Sequence, residues 1–251
     1  MTELSFSAKT ETGKVRPHNE DTFAVCESQD GVLFFLVADG MGGHNAGEVA
    51  SGKVRDTFTR KISKANTSEM TEEQIGALLV KTIEEADDKI FKDTLKHPER
   101  TGMGTTAVAG AIIDDRVIIA NVGDSRAYIS GKSRLTKISV DHSYVEELVQ
   151  QGILTEEEAR VNPRRNEITR AVGCLSEMDV DVFLADFPKD SVLLLCSDGL
   201  YSMVPDDRLQ HLIRRYKDMS KLSERLVAEA NSNGGADNIT VIVARRTSEA
   251  G

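Results

Sequence analysis

The sequence predicts an α+β protein built in four layers (α-β-β-α), with two stacked antiparallel sheets each flanked by a pair of helices. Two observations lead to this fold class. About ten apolar or alternating runs are typical of strands, and several are joined by connections short enough to require antiparallel neighbours. Two pairs of amphipathic helices interrupt these strands. About ten strands are more than a single open sheet usually holds. Two stacked sheets, each covered by helices, are therefore the expected packing.

Ten segments are predicted as strands. In chain order they are 4–9, 22–26, 32–38, 105–113, 116–122, 127–129, 135–138, 180–187, 191–197 and 239–244. The segment 32–38 is apolar throughout, which is typical of a strand buried on both faces. Asp114 and Asp115 form a connection of hairpin length between two of the strands.

Apolar residues three and four apart predict the helices. The first runs over 46–62, and the second begins after Thr71, whose Thr-x-x-Gln pattern with Gln74 is a capping box. The last two helices present two apolar faces, Leu209, Leu212, Ile213 and Tyr216, then Leu222, Leu226, Val227 and Ala230. Residues 141–178 are predicted to form a flap over the sheets, with two short helices opened by capping boxes at Ser143 and Thr155.

Composition narrows the possible functions. The chain has 251 residues and no linker or repeat, so 1–251 is predicted to be one domain. A formal net charge of −10 disfavours a nucleic-acid partner. Three cysteines without metal spacing, no signal peptide and no apolar run near ~18 residues predict a cytoplasmic protein that does not associate with membranes.

Six carboxylates lie at strand ends. Asp39, Asp124 and Asp198 end apolar strands, whereas Glu20, Asp21 and Asp237 precede strands. In antiparallel sheets the end of one strand lies beside the start of its neighbour, so these groups are expected to gather at one rim. Their repulsion is best relieved by divalent cations, and an oxygen-only set favours Mg²⁺ or Mn²⁺ over zinc.

Each group also has a simpler interpretation. Asp-Gly is among the commonest turn dipeptides, so Asp39-Gly40 alone is compatible with a plain turn, and so is Glu20-Asp21. Asp141 is a candidate helix cap, and Arg16 stands in a polar loop where most arginines are simply solvated. His44 stands in the same glycine-rich loop as Asp39 and Gly40, and it is interpreted either as a loop-surface residue or as a participant in catalysis.

Nine motifs in order resemble those of the metal-dependent Ser/Thr protein phosphatases of the 2C type, in their compact bacterial form. They lie within residues 13–243 and are Arg16-x-x-Asn19-Glu20-Asp21, Val37-Ala38-Asp39-Gly40-Met41-Gly42-Gly43-His44, Gly47-Glu48, Gly104-Thr105-Thr106-Ala107, Asn121-Val122-Gly123-Asp124-Ser125-Arg126, Asp141-His142-Ser143, Thr169-Arg170-Ala171-Val172-Gly173, Ser197-Asp198-Gly199-Leu200 and Asp237-Asn238-Ile239-Thr240. The fold of that family, a β-sandwich flanked by helices, agrees with the layers predicted above.

The resemblance implies a set of site residues. Asp39 would bridge two metal ions, Asp198 and Asp237 would complete the first ion, and the Gly40 carbonyl the second, with Glu20 nearby. Asp124, together with Asp198, would hold a weaker third ion. Asp21, Asn238 and Asp141 would surround these ligands and hold them in position without binding the metal ions themselves. A hydroxide bridging the metals would attack the phosphorus of phosphoserine or phosphothreonine, and Arg16 would hold the phosphate bidentately.

One position departs from the eukaryotic pattern. There a histidine thought to protonate the leaving group follows Asp-Gly, whereas this chain has Met41, which leaves His44 or a water as candidate donor. The expected partners are phosphoproteins and a cognate Ser/Thr kinase, and the protein is expected to be a monomer. Two other functions remain open, a catalytically silent phosphoprotein adaptor and a two-metal phosphohydrolase of small molecules.

Overall fold

The structure, a computed structural model, describes residues 3–42, 46–131, 134–174 and 178–247. Its strands, in chain order, are β1 (Glu3–Glu11), β2 (Asp21–Glu27), β3 (Leu33–Met41), β4 (Gly104–Thr105), β5 (Ala107–Ile113), β6 (Arg116–Val122), β7 (Arg126–Ser130), β8 (Leu135–Lys137), β9 (Asp181–Asp186), β10 (Val192–Cys196) and β11 (Ile239–Thr247). All ten predicted strands are present, and one of them is divided in two.

The helices are α1 (Ala46–Ile62), α2 (Glu72–Lys96), α3 (Tyr144–Gln150), α4 (Glu156–Val161), α5 (Asp198–Tyr201), α6 (Asp206–Arg215) and α7 (Met219–Ser232), with a 3-10 turn at Pro98–Arg100. The predicted capping box at Thr71 is formed and begins α2. The one at Thr155 is also formed and begins α4. None of the helices in the described parts of the chain is both long and apolar enough to cross a bilayer.

Two antiparallel sheets form the centre of the molecule. The first has the strand order β1-β11-β10-β7-β8, and the second has the order β2-β3-β5-β6-β9 with β4 beside β3. Strands that follow one another in sequence, such as β5 and β6, pair directly as the short connections predicted. This arrangement places the ends of β3 and β10 and the start of β11 on the side of the molecule that carries the candidate site.

Three apolar clusters separate the four layers. Alternate residues of β3 divide between two of them: Phe34 and Leu36 pack under α1 and α2, and Phe35 and Val37 face the other sheet. The third cluster lies between the first sheet and α6 and α7. Strands buried on both faces need apolar residues at every position, which explains the unbroken run from which 32–38 was predicted as a buried strand. The predicted four-layer α+β fold class is confirmed.

Three local predictions are wrong in detail. The segment 105–113 is broken at Thr106, because the backbone N–H of Thr106 donates to the Asp39 carbonyl instead of continuing the β5 ladder. Ser143 caps α3 by accepting from Glu146 N, but the reciprocal half of that capping box is missing, since the Glu146 carboxylate pairs with Lys137. Only strand and loop were expected around Asp198, where the structure has the single helical turn α5.

Candidate active site

Asp39 is held in place mainly by its backbone. Antiparallel pairing of β2 with β3 sets Asp39 directly opposite Asp21. The Asp39 N–H donates to Thr106 Oγ1 at 3.0 Å, and the Asp39 carbonyl accepts from Thr106 N at 2.8 Å and from Thr105 Oγ1 at 2.9 Å. Because both backbone polar groups are bonded, the Asp39 carboxylate projects from a fixed point at the sheet end.

The backbone after Asp39 passes through a very narrow space. A Cβ at Gly40 would lie 2.2 Å from the Gly47 carbonyl oxygen and 2.6 Å from that of Glu20, so no other residue fits there without movement of the backbone. Gly47, in the first turn of α1, has equally little room, since its Cβ would lie 2.7 Å from Glu20 Oε1. These two glycines bring Asp39, Glu20 and the start of α1 together.

The buried Asn238 side chain joins the β1–β2 loop to the start of β11. Its Oδ1 accepts from Glu20 N at 2.9 Å, and its Nδ2 donates to the carbonyls of Thr12 and His18, both at 2.9 Å. Asp237, next to it, accepts a hydrogen bond from Arg16 Nη2 at 2.7 Å. The predicted supporting role of Asn238 is consistent with this geometry, because it positions the backbone on which Glu20 and Asp237 stand.

Asp198 begins the single turn α5 directly after β10. Ser197, the preceding residue, donates its hydroxyl to Asp21 Oδ2 at 2.7 Å and accepts from Thr240 N at 3.0 Å. Ser197 thereby ties β10, β11 and β2 together behind the site. Among the described residues, the remaining oxygen of Asp21 and Oδ1 of Asp198 are buried without a hydrogen-bond partner.

Asp124 stands in the connection between β6 and β7 and is held by side chains. Tyr201 donates its hydroxyl to Asp124 Oδ2 at 3.3 Å. The preceding Gly123, at φ +98°, donates its N–H to His142 Nδ1 at 3.1 Å and accepts from His142 N at 3.0 Å. The sequence did not point to Tyr201, because its contact with Asp124 joins residues 77 apart in the chain.

The flap residues predicted as support do not cap helices. Asp141 receives two hydrogen bonds from Arg126, from Nε at 2.9 Å and Nη2 at 2.6 Å, so the helix-cap alternative is wrong. The cap of α3 is Ser143. His142 Nε2 lies 3.1 Å from Asp181 Oδ2, and its side chain is buried. His44, the candidate proton donor, lies outside the described residues.

Each acidic side chain at the site disfavours the ionised form of its neighbours. Burial first, and then the charges of nearby carboxylates, raises the pKa of Asp39 well above its usual range; those neighbours are Asp21, Asp198, Asp124 and Asp237. Burial, followed by Asp124 and Asp237, also raises the pKa of Asp198. Burial raises the pKa of Asp21 and of Asp124 to about 6 in each case. Asp21, Asp39, Asp124, Asp198 and Asp237 thus lie close enough to influence one another, as the predicted gathering at one rim requires.

The residues fit divalent cations in chemistry but are not arranged as a finished site. In the described parts of the chain, no group of three or more His, Cys, Asp or Glu side chains is placed to hold an ion. Three of the predicted carboxylates are instead engaged with Arg16, Ser197 and Tyr201. The oxygen-only donor set, the two buried oxygens without a hydrogen-bond partner among the described residues and the raised pKa values all fit the chemistry of a bound divalent cation.

Comparison with known proteins decides the family. The family model described as "Protein phosphatase 2C" matches residues 5–239. The chain belongs to the protein phosphatase 2C family. It is 40% identical over 241 residues to the serine/threonine phosphatase stp of Listeria monocytogenes, a match that covers 95% of this chain and 94% of that one.

Solved structures agree with this assignment. The serine/threonine phosphatase of S. agalactiae superposes with a TM-score of 0.91 at 33% identity, covering 97% of this chain and 99% of that one. The catalytic domain of the phosphatase PstP in complex with 2 manganese ions superposes with a TM-score of 0.84 at 30% identity, covering 99% of this chain and 100% of that one. The predicted family and the predicted protein serine/threonine phosphatase function are confirmed.

Proposed function

We propose that this phosphatase hydrolyses phosphoserine and phosphothreonine in proteins with divalent cations held by the carboxylate rim. The observation that carries the proposal is the group of mutually repelling acids around Asp39, in which buried oxygens of Asp21 and Asp198 have no hydrogen-bond partner within the described parts of the chain. Such a group is costly unless cations compensate it. The manganese ions of the related PstP structure support the same chemistry.

The ligands proposed for two core ions are Asp39, which would be shared, with Asp198, Asp237, the Gly40 carbonyl and Glu20. A weaker third ion is assigned to Asp124 and Asp198. Bound Mn²⁺ or Mg²⁺ supplies Lewis-acid stabilisation of phosphoryl oxygens and makes hydroxide accessible near neutral pH. Asp21 and Asn238 hold the surrounding backbone and side chains by the hydrogen bonds described above, and Asp141 does so through Arg126.

Arg16 is the proposed phosphate-binding residue. Its side chain is half exposed, and its guanidinium lies on Asp237 at the rim, where the charges of Asp237, Asp198 and Asp39 attract it. A guanidinium can hold two phosphate oxygens at once, a geometry that an ammonium group cannot reproduce. Arg16 would thus exchange its bond to Asp237 for the substrate phosphate once Asp237 is used by a cation.

Activity against two substrate classes tests the function. We expect hydrolysis of phosphoserine and phosphothreonine peptides in Mn²⁺, loss of that activity in EDTA and little turnover of a nucleotide panel. Binding of phosphopeptide without turnover would favour the adaptor alternative. Faster turnover of nucleotides than of phosphopeptides would favour a small-molecule phosphohydrolase.

The proton donor to the departing serine or threonine oxygen is proposed to be His44, since Met41 carries no proton to give. An alkoxide leaves slowly unless it is protonated, an effect typically worth ~10²–10⁴-fold, whereas a nitrophenolate needs little such help. We therefore expect His44→Ala to slow phosphopeptide hydrolysis far more than hydrolysis of p-nitrophenyl phosphate. Equal slowing of both substrates would assign His44 to metal or phosphate binding, and no slowing would leave a water as the donor.

A cognate Ser/Thr kinase acting on the same substrates is the partner expected by analogy with other phosphatases. We also propose that the protein acts as a monomer in the cytoplasm. Sedimentation at the working concentration tests the monomer, and the phosphoproteins that accumulate when this chain is removed would identify the kinase substrates.

A further inference from the structure

Tyr201 lies close to two of the clustered carboxylates, those of Asp198 and Asp124. It is the last residue of the single turn α5, three residues after Asp198, and side chains three apart on a helix lie on one face. Its ring packs against the Arg126 guanidinium, whose central carbon lies 3.5 Å from the ring centroid. Its hydroxyl reaches Asp124 Oδ2 at 3.3 Å. One helical turn therefore carries Asp198 directly and contacts Asp124 through Tyr201.

The nearby arginine does not hold Asp124 in the same way. Arg126 directs Nε and Nη2 to Asp141, and Nη1 to the hydroxyl of Tyr128 at 3.0 Å. Its guanidinium is thus committed to other partners and to stacking on Tyr201. In the described parts of the chain, the side chain that donates a hydrogen bond to the Asp124 carboxylate is that of Tyr201, through its hydroxyl.

We propose that Tyr201 is a positioning residue for Asp124, which orients this carboxylate toward Asp198 for the weaker third cation. The inference rests on the proposed function, because it requires Asp124 to bind that ion. Tyr201 contacts Asp124 and Arg126, and its proposed effect on catalysis is exerted through Asp124. It acts by restricting the rotation of a carboxylate that stands in a loop and is not fixed by strand pairing.

Tyr201→Phe tests the proposal because it removes the hydroxyl while keeping the ring stacked on Arg126. Hydrogen-bond partners of metal ligands typically contribute ~10–100-fold to metal affinity, and at 3.3 Å the lower end is expected. We expect Mn²⁺ titration of the substrate-free protein, followed by the EPR signal of free Mn²⁺, to show about 10-fold weaker binding of the third ion. The tight ions should be unaffected, and turnover should recover at saturating Mn²⁺.

Tyr128→Phe is the matched control, since it removes a hydroxyl bonded to the same arginine but not to Asp124. It should leave the Mn²⁺ isotherm unchanged, and Asp124→Ala should abolish the weak binding step alone. An unchanged isotherm in Tyr201→Phe, with the weak step lost in Asp124→Ala, would overturn the inference and leave the proposed function standing. A weak step that survives in Asp124→Ala would instead overturn the assignment of the third ion and the inference together. Loss of the tight ions in Tyr201→Phe would contradict a role confined to Asp124.

Discussion

Asp39 lies near the end of a buried strand and Asp124 follows the end of another, and each has a glycine next to it, yet they are held by different means. Asp39 lies within β3, and its N–H and carbonyl are bonded to Thr106 and Thr105. Asp124 lies in the β6–β7 loop, and its carboxylate is held by the hydroxyl of Tyr201. The first carboxylate thus inherits its position from the sheet, and the second depends on neighbouring side chains.

The difference between the Asp39 region and the Asp124 region shows how one site can bind several cations with different affinities. A ligand on a paired strand loses little freedom when a cation binds, whereas a ligand on a loop must be ordered first. Strand pairing is also hard to perturb by a single substitution. We therefore expect the Asp39 region to bind cations tightly and the Asp124 region to bind them weakly and adjustably.

The largest effect is expected for Asp39→Asn. The substitution keeps the shape of the side chain but removes the charge proposed to be shared by two ions, so kcat on a phosphothreonine peptide should fall by at least about 10³-fold, or about 4 kcal/mol. The matched control is Asp114→Asn, in the β5–β6 turn at the opposite end of the sheet, where φ is +50° and asparagine is well tolerated. Asp114→Asn should turn over like the wild type. Near-normal Mn²⁺-dependent turnover in Asp39→Asn would remove the two-metal proposal.

The next effect concerns the stability of the metal-free protein. Burial raises the pKa of Asp21 and Asp124 from 3.8 to about 6, so the folded state binds their protons more tightly than the unfolded chain does. The stabilisation is complete below pH 3.8 and is lost as the pH rises through about 6. In EDTA, the free energy of unfolding from urea titration should therefore decrease between pH 5 and pH 7.5, by about 1.4 kcal/mol for each of the two groups, or about 3 kcal/mol together.

Cations should reverse this trend, because they bind the ionised carboxylates and stabilise the folded state more at higher pH. Asp124→Asn and Asp21→Asn measure the contribution of each of these two groups, since neither amide ionises. Asp39 and Asp198, whose pKa values are also raised, contribute to the slope with the same sign. Carboxylates with lowered pKa, such as Glu85 at about 2, titrate below this window and do not contribute to it. A metal-free protein whose stability increased from pH 5 to pH 7.5 would show that these acids are already compensated.

The two regions also differ in how far the sequence predicted them. Pairing of Asp21 with Asp39 follows from antiparallel strands that end in carboxylates, and such endings are visible as apolar runs that stop at an acid. The contact of Tyr201 with Asp124 depends on where α5 packs against the β6–β7 loop, which no local pattern records. The break at Thr106 escaped prediction for the same reason, because its hydrogen-bond partner is Asp39, distant in sequence. Periodicity predicted the sheets and helix pairs, and side-chain contacts between loops required the structure.

The smallest effect should come from Thr106, the residue that links the two regions. Its buried hydroxyl accepts the Asp39 N–H at 3.0 Å and lies 2.7 Å from Ser125 Oγ, next to Asp124. Thr106→Val preserves the shape but leaves the Asp39 N–H and the Ser125 hydroxyl unpaired, which should lower the free energy of unfolding by about 2 kcal/mol. Thr106→Ser, which retains the hydroxyl, is the control.

The consequence of Thr106→Val for metal binding decides whether the two regions are held differently. Asp39 keeps its pairing with Asp21 and the bonds to its carbonyl, so the tight Mn²⁺ ions should remain. Ser125 loses the hydroxyl partner that steadies the loop beside Asp124, so the weak ion should bind a few-fold less tightly, by about 1 kcal/mol. Mn²⁺ titration of Thr106→Val against Thr106→Ser measures both steps. If the tight step weakened more than the weak one, Asp39 would depend on this side chain more than on its strand, and the contrast between the two regions would be wrong.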